Sequence, residues 1–347
     1  MNEFLNLNRV NDRNNDRNND TDTVKRRTAL AWGASAAASL AAGPLWAQAD
    51  YPNKPIKVIV PFSPGGAVDG PMRAIAEQLG RRLKQQVNVE NRPGAGSTIG
   101  SGEVAKAAAD GYTLLLASQT NAISAALYPK LPFNPIDDFA GISLLGREPG
   151  VLVVHPSLPV NSVAELRAYV RQRPDQVNYS SSGNGSGQHL FMAMFASMAG
   201  IKPMHVPYKG SAQATTDLLG GTVQMSIPGT QAMVKHIRAG KLKALATTGV
   251  ARSPSLPEVP TLAESGLPGY SAYVWMGLLA PKGTPQAIVD RLQREVKATL
   301  ATPEVTAFMN EAGIEVVGSS PAEMDAYFRE ERDRWARIVK ETGAKVD

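Results

Sequence analysis

Hydroxyl, amide and glycine residues gather at two places where an apolar run gives way to an amphipathic segment. One is "SPGGAVD", residues 63–69, between "IKVIV" and "AIAEQLGRRL"; the other is "SSSGNGSGQ", between "VNY" and "HLFMAMFASMAG". A strand that turns through glycines into a helix start collects unpaired backbone N–H groups at the positive end of the helix dipole, which is chemistry for holding an anion. Gly65 and Gly66 are free to take positive φ and to let a ligand come close. Ser181, Ser182, Asn184 and Ser186 add hydroxyls and an amide, while Gly183, Gly185 and Gly187 keep the backbone open. Each loop taken alone is equally a plain strand-to-helix turn or a surface loop; the repetition favours a site.

Two weaker groups share this grammar. "HVPYKGSAQATTDLLGG" sets Tyr208, Lys209 and Ser211 before another helix, with Ser211 also a plausible plain N-cap. "LLLASQTNAIS" sets Ser118, Thr120 and Asn121 at the carboxyl end of a strand.

Other chemistries lack their residues. "GAGSTIG", 94–100, is one residue too long for G-x-G-x-x-G and the next strand lacks the acidic ribose ligand, and no G-K-[ST] follows a glycine run. His155, His189, His205 and His236 are far apart and none pairs at metal spacing. Ser186 and His189 stand three apart at a helix start, yet outside any G-x-S-x-G elbow. Asp137 and Asp138 read as turn formers. No catalytic residue, metal or cofactor is expected.

The elements that must position these residues alternate. "IKVIV", "VNVE", "YTLLLA", "GVLVV", "VNYS", "VQMSI" and "KALATT" read as strands, and 71–84, 98–109, 162–173, 187–199, 211–219 and 229–239 as helices. Such βαβ alternation predicts an α/β fold with mostly parallel sheets flanked by helices and ligands at the carboxyl ends of strands. Helices drop out at "FAGISLLGREPGVLVVHPS" and "GLPGYSAYVWMGLLAPKG", which predicts two crossings between lobes. Lobe one is then 50–150 with 269–347, and lobe two is 151–268. Trp275 lies in the second crossing and is expected near the cleft. Trp335 belongs to an apolar stripe with Met324, Tyr327, Phe328, Ile338 and Val339, expected to be ordinary packing remote from the ligand loops.

The chain has 347 residues, 43% of them hydrophobic, and no cysteine, so disulfides, thiolate metal sites and lipidated cysteine are excluded. Residues 1–23 repeat Asn, Asp and Arg and read as a disordered leader. "KRRTALAWGASAAASLAAGPLWAQA" reads as a secretory signal, residues 1–49 being removed by cleavage after Ala49. Paired Arg26-Arg27, the long polar leader and the weak hydrophobicity favour the twin-arginine route over general secretion, although Ala29 stands where a large apolar residue is usual. The remaining chain carries 30 basic and 26 acidic residues without basic blocks. That balance argues against nucleic acid or a membrane surface as main partner and suits a small anion.

The blocks "YPNKPIKVIVPFSPGGAVD", "VENRPGAGSTIG", "DGYTLL", "SSGNGSGQH", "HVPYKGSA", "DLLGG", "AGKLKALA", "LPEVPTLAESGLPGY" and "GLLAPKGTP", in this order, resemble the extracytoplasmic solute receptors of the tripartite tricarboxylate transporter family, the Bug proteins. The resemblance implies a type II periplasmic binding fold that closes on a small organic carboxylate and serves membrane transporter subunits. By matching position it implies ligand contacts from Phe62, Ser63, Gly65, Gly66, Ala67, Val68 and Asp69, from Ser181, Ser182, Asn184, Gly185, Ser186 and His189, and from Tyr208 and Lys209. Val68 replaces the family's frequent Thr. Gln224, Pro228 and Gly229 stand at or near positions where acidic residues are common. These departures lean towards a dicarboxylate with an apolar or aromatic middle. The expectation is a periplasmic, monomeric binding protein. The alternatives are a ligand sensor docking on a sensor kinase and a secreted hydrolase using Ser186 and His189.

Overall fold

The computed structural model describes residues 51–65, 68–128, 130–173 and 176–344. The leader and signal segment, with Trp32, Trp46 and the cleavage position at Ala49, lie outside the described residues, as do Gly66 and Ala67 of the first loop. From Pro52 onward the chain forms one unit, built on two mixed sheets.

The run "IKVIV" becomes β1 (Ile56–Val60), buried at four of its five positions, as a strand covered on both faces must be. It pairs in parallel with β2 (Val87–Asn91) and β3 (Thr113–Ser118). The sheet continues through β10 (Tyr273–Pro281) and β4 (Phe139–Pro149) to β11 (Glu315–Val316), in the order β11-β4-β10-β3-β1-β2. A second sheet has the order β7-β6-β8-β5-β9, from β5 (Val151–Val154), β6 (Asn178–Ser181), β7 (Met204–Pro207), β8 (Met225–Ser226) and β9 (Lys243–Thr247).

The sheets are flanked by helices as expected, but the expectation of mostly parallel pairing needs correction. β10 runs against both β3 and β4, and β5 runs against both β8 and β9. The reason is the connectivity: each of these strands enters its sheet from the side of the other sheet, so it points opposite to the strands already there. One residue, Gly150, separates β4 from β5. Its N–H donates to Thr248 Oγ1 at 2.6 Å, and that hydroxyl donates to the Ala272 carbonyl at 2.6 Å. The outgoing and returning chain segments are thereby joined through one buried threonine.

The helices that matter for the site start at carboxyl ends of strands: α1 (Asp69–Leu83) after β1, α2 (Thr98–Ala105) after β2, α3 (Gln119–Leu127) after β3, and, past α4 (Val163–Gln172), α5 (Gly187–Ala199) after β6. α6 (Ser211–Leu219) follows β7, and α7 (Thr230–Arg238) follows β8. α8 (Gln286–Leu300) and α9 (Pro303–Glu311) precede α10 (Pro321–Thr342). α10 opens with Ser320 and Glu323 capping each other reciprocally and with Pro321 at its first turn. Its buried stripe of Met324, Phe328, Glu331, Trp335 and Ile338 follows the helical repeat and touches α3 and β4 of the first sheet and α5 of the second.

Helix α3 was not expected from the sequence. Its signal is nonetheless present: Ser118 accepts from the Thr120 N–H, and Asn121 Oδ1 accepts from the Ser118 N–H, which is a capping box written with Asn.

Candidate functional site

The loop after β1 is held from below by side chains. Asp69, the first residue of α1, is buried, and its Oδ2 accepts from the Gly65 N–H at 3.0 Å and from Arg73 Nε at 3.1 Å. Its Oδ1 accepts from Asn91 Nδ2 at 2.8 Å, and the same amide donates to the Phe62 carbonyl at 3.0 Å. Burial raises the Asp69 pKa, but the bonds from Arg73, Gly65 and Asn91 outweigh it and leave the carboxyl below its ordinary value. Asp69 therefore shapes the loop, and the Gly65 amide is spent on it. Gly65 has φ +75° with open space where a side chain would stand, so its glycine answers the turn. Ser63 is exposed and Phe62 half-buried on the same loop. Val68 is buried and lines a small cavity with Gly146, Glu148, Met276 and Ile314.

Asn91 and Arg73 were not among the expected site residues, although Asn91 lies inside the quoted block "VENRPGAGSTIG". Asn91→Ala should cost about 2 kcal/mol of unfolding free energy, because a buried carboxylate and a carbonyl each lose a donor. Asn91→Asp should cost more, since it sets a second carboxylate against Asp69. Urea unfolding of the two variants measures this, and an Asn91→Asp protein as stable as wild type would sink the clamp.

The second loop is built the same way. Ser186 is the N-cap of α5, its Oγ accepting from the His189 N–H at 3.3 Å. The Gly185 N–H donates to His189 Nδ1 at 3.1 Å. Gly183 and Gly185 have φ +128° and +73°, values that a side chain would resist. Ser181 is fully buried, while Ser182 and Asn184 are partly exposed.

The structure also brings together two histidines that lie apart in sequence. His205 on β7 stacks on His189 with ring centroids 4.1 Å apart, and on Tyr179 at 4.7 Å. Parallel register puts Tyr179 beside His205 on one face of the sheet, and α5 covers that face.

Several expected contacts are committed elsewhere. Ser118 and Asn121 cap α3, and Asn121 Nδ2 donates to Ser101 Oγ at 2.8 Å; Thr120 is half-buried beside them. The Tyr208 hydroxyl donates to Asp217 at 2.7 Å, and burial with that carboxylate pushes its pKa up to about 12. Lys209 is exposed.

Trp275 needs correction. Its position on β10 turns the indole towards α10, where it is buried, donates to Glu331 Oε2 at 2.8 Å and meets Tyr327 and Phe328 edge-on. The Trp275 backbone N–H donates to Gln119 Oε1 at 3.2 Å.

Gln119, unremarked in the sequence, is where the two halves meet. It is the first residue of α3, and its Nε2 lies 2.7 Å from where a Cβ on Gly187, the first residue of α5, would stand.

The departures read as ligand determinants also change meaning. Gln224 Oε1 accepts from the Asn178 N–H at 2.9 Å, at the start of β6, about 10 Å of strand away from the Ser181 loop. Gly229 faces the Glu148 carboxyl, with Oε1 2.5 Å from its would-be Cβ. β4 thus supplies an acid beside the place where the sequence had lost one.

Glycine-rich helix starts thus stand one on each of two sheets, which the chain joins at Gly150 and again through residues 248–272. The chain matches the family model described as "Tripartite tricarboxylate transporter family receptor" over residues 72–344. It is 40% identical to Protein BugT of Bordetella pertussis over 85% of this chain and 91% of that protein. Rpa4515 of R. palustris, solved with adipate, has a TM-score of 0.78 and 36% identity over 85% of this chain and 100% of that one. MatC of Rhodopseudomonas palustris, solved with malate, has a TM-score of 0.75 and 32% identity over 83% and 100%. The chain belongs to the tripartite tricarboxylate transporter receptor family.

Proposed function

We propose that the protein captures one small organic dicarboxylate between lobe one, 50–150 with 269–347, and lobe two, 151–268, and hands it to the membrane subunits of a tripartite transporter. The observation that carries this reading is the pair of glycine-rich helix starts at 63–69 and 181–187, one on each sheet, with Gln119 and Gly187 in contact between the sheets. The adipate and malate held by the two structural neighbours support the ligand class. Partly exposed Ser63, Ser182, Asn184 and Ser186 are the contacts proposed for the carboxylates, with Phe62 against the apolar middle.

The protein acts without catalysis in this reading. Ser186 Oγ caps α5 by accepting the His189 backbone N–H, and the one basic nitrogen of the neutral His189 ring, Nδ1, is taken by the Gly185 N–H, so the ring is not paired as a base with Ser186. Export by the twin-arginine route, cleavage after Ala49 and a monomeric receptor complete the proposal.

Calorimetry with adipate and with malate tests it. The expected result is one-to-one binding unchanged by a chelator. Ligand at about 100 times its dissociation constant should stabilise the fold by about 2.7 kcal/mol. Binding that appears only after a divalent ion is added, or no response to any dicarboxylate, would overturn it.

A further inference from the structure

The histidine stack lies beneath the loop that the proposed capture uses, and its hydrogen bonds determine where its protons sit. Ser181 Oγ is 2.6 Å from His205 Nε2, 3.1 Å from the Gly183 carbonyl and 3.2 Å from the Gly183 amide nitrogen. A serine hydroxyl has one proton to give. If it donates to the Gly183 carbonyl, His205 must carry its proton on Nε2 and donate to Ser181, and every member of the chain is then satisfied. On the far side of the stack, His189 Nδ1 accepts the Gly185 N–H, so His189 also carries its proton on Nε2. That Nε2–H has no protein partner among the described residues.

We propose that His205 is a positioning residue of the ligand site. Through Ser181 it holds the turn at Gly183, and through the ring stack it holds in place the His189 ring, whose tautomer the Gly185 N–H sets and whose Nε2–H is the donor offered to a ligand carboxylate. A protonated ring at position 189 would turn an N–H against the Gly185 N–H, so the loop requires the His189 ring neutral. Burial lowers the pKa of both histidines, and the closeness of His189 lowers that of His205 further, in keeping with this requirement. The sequence separates the partners by 24 residues for Ser181 and His205, and parallel pairing of β6 with β7 closes that gap.

The inference rests on the carboxylate-capture reading, so its test has one arm with ligand and one without. In protein labelled with 15N at histidine, both His189 and His205 should show the Nε2–H tautomer in the absence of ligand; an Nδ1–H tautomer on either ring overturns the proposal. His205→Phe keeps a ring between Tyr179 and His189 but removes the donor to Ser181. It should weaken adipate binding by about tenfold or more, speed amide exchange at Gly183 and Gly185, and leave the global unfolding transition cooperative. His205→Gln, which returns a donor to Ser181 but loses the ring, should restore slow exchange at Gly183 and recover only part of the lost affinity. Unchanged affinity and unchanged exchange in His205→Phe also overturn the proposal. If wild type takes neither adipate nor malate, the capture reading falls, and the tautomers with the exchange rates still decide the positioning role.

Discussion

Glu331→Ala is expected to destabilise the protein by on the order of 3–5 kcal/mol, the cost of breaking a buried charge network by removing one partner. Glu331 is 1% exposed on α10. Its Oε2 accepts from both tryptophans of the described fold, Trp275 Nε1 at 2.8 Å and Trp335 Nε1 at 3.0 Å. Its Oε1 stands 2.8 Å from Arg334 Nη1, at ion-pair distance but out of line for a hydrogen bond. Burial raises the carboxyl's pKa against the opposing pull of Arg334 and the indoles. Alanine would leave two buried indole N–H groups without an acceptor and would open a cavity between β10 and α10. Glu331→Gln keeps an acceptor oxygen with two lone pairs and should cost only about 1–2 kcal/mol. Urea unfolding of the three proteins measures the difference. A loss below about 1 kcal/mol for alanine would mean that the indoles find other partners, and the tie between α10 and the returning strand would fail.

That network corrects the expectation that the two tryptophans report on different regions. Trp335 stacks on Phe191 of α5 with centroids 5.5 Å apart, two residues beyond His189, so it is close to the second loop. Trp275, expected to face the cleft, shares its acceptor with Trp335. Fluorescence of either indole then responds to the same carboxylate, and a clean division of a ligand signal between them is not expected.

The legible part of this chain was what local pattern determines. Apolar runs marked the strands, glycines marked the loops, and the loss of helical spacing near Gly150 and before Tyr273 fell where the chain passes between sheets. Nine ordered blocks carried the family. The illegible part was contact between side chains distant in sequence. Asp69 read as a ligand residue because its type suits a site, yet its oxygens are filled by Gly65, Arg73 and Asn91. Gln224 read as a ligand determinant from family position alone, and strand register puts it at the wrong end of β6. His189 and His205 read as unrelated because a ring on a helix that stacks on a ring of the sheet beneath it has no fixed interval in sequence. Direction was illegible too: Trp275 is on the expected strand, but a one-residue alternation decides which face receives the indole.

The other large effect concerns pH, and it is hidden in the wild-type protein. Glu148 is 6% exposed near the end of β4, takes one hydrogen bond from the Gln231 N–H of α7 at 3.1 Å, and pairs with no cation among the described residues. Its neighbour Arg147 turns to Glu315 instead. Burial, against that single bond, pushes the Glu148 pKa up to about 7. The folded protein then keeps a proton that the unfolded chain has released, so this group makes stability fall as pH rises from about 4.5 to 7. The total is on the order of 3 kcal/mol. His205, pushed down to about 4 by burial and by His189, acts with the opposite sign: the unfolded chain binds its proton first, so stability rises with pH from about 4 to 6.5. His189, also lowered, adds to the rise. Over pH 5 to 7 the opposing contributions largely cancel, and the wild-type dependence from these groups is expected to be shallow. Glu148→Gln keeps the acceptor for Gln231 and removes the falling component, so this variant should gain stability steeply from pH 5 to 7. His205→Phe removes a rising component and should lose stability over the same range. Urea unfolding at pH 5, 6 and 7 gives three slopes, and the prediction is their order: Glu148→Gln most positive, wild type between, His205→Phe most negative. Equal slopes in Glu148→Gln and wild type would mean that the carboxyl at the crossing is ionised in the fold, held by a partner other than Gln231.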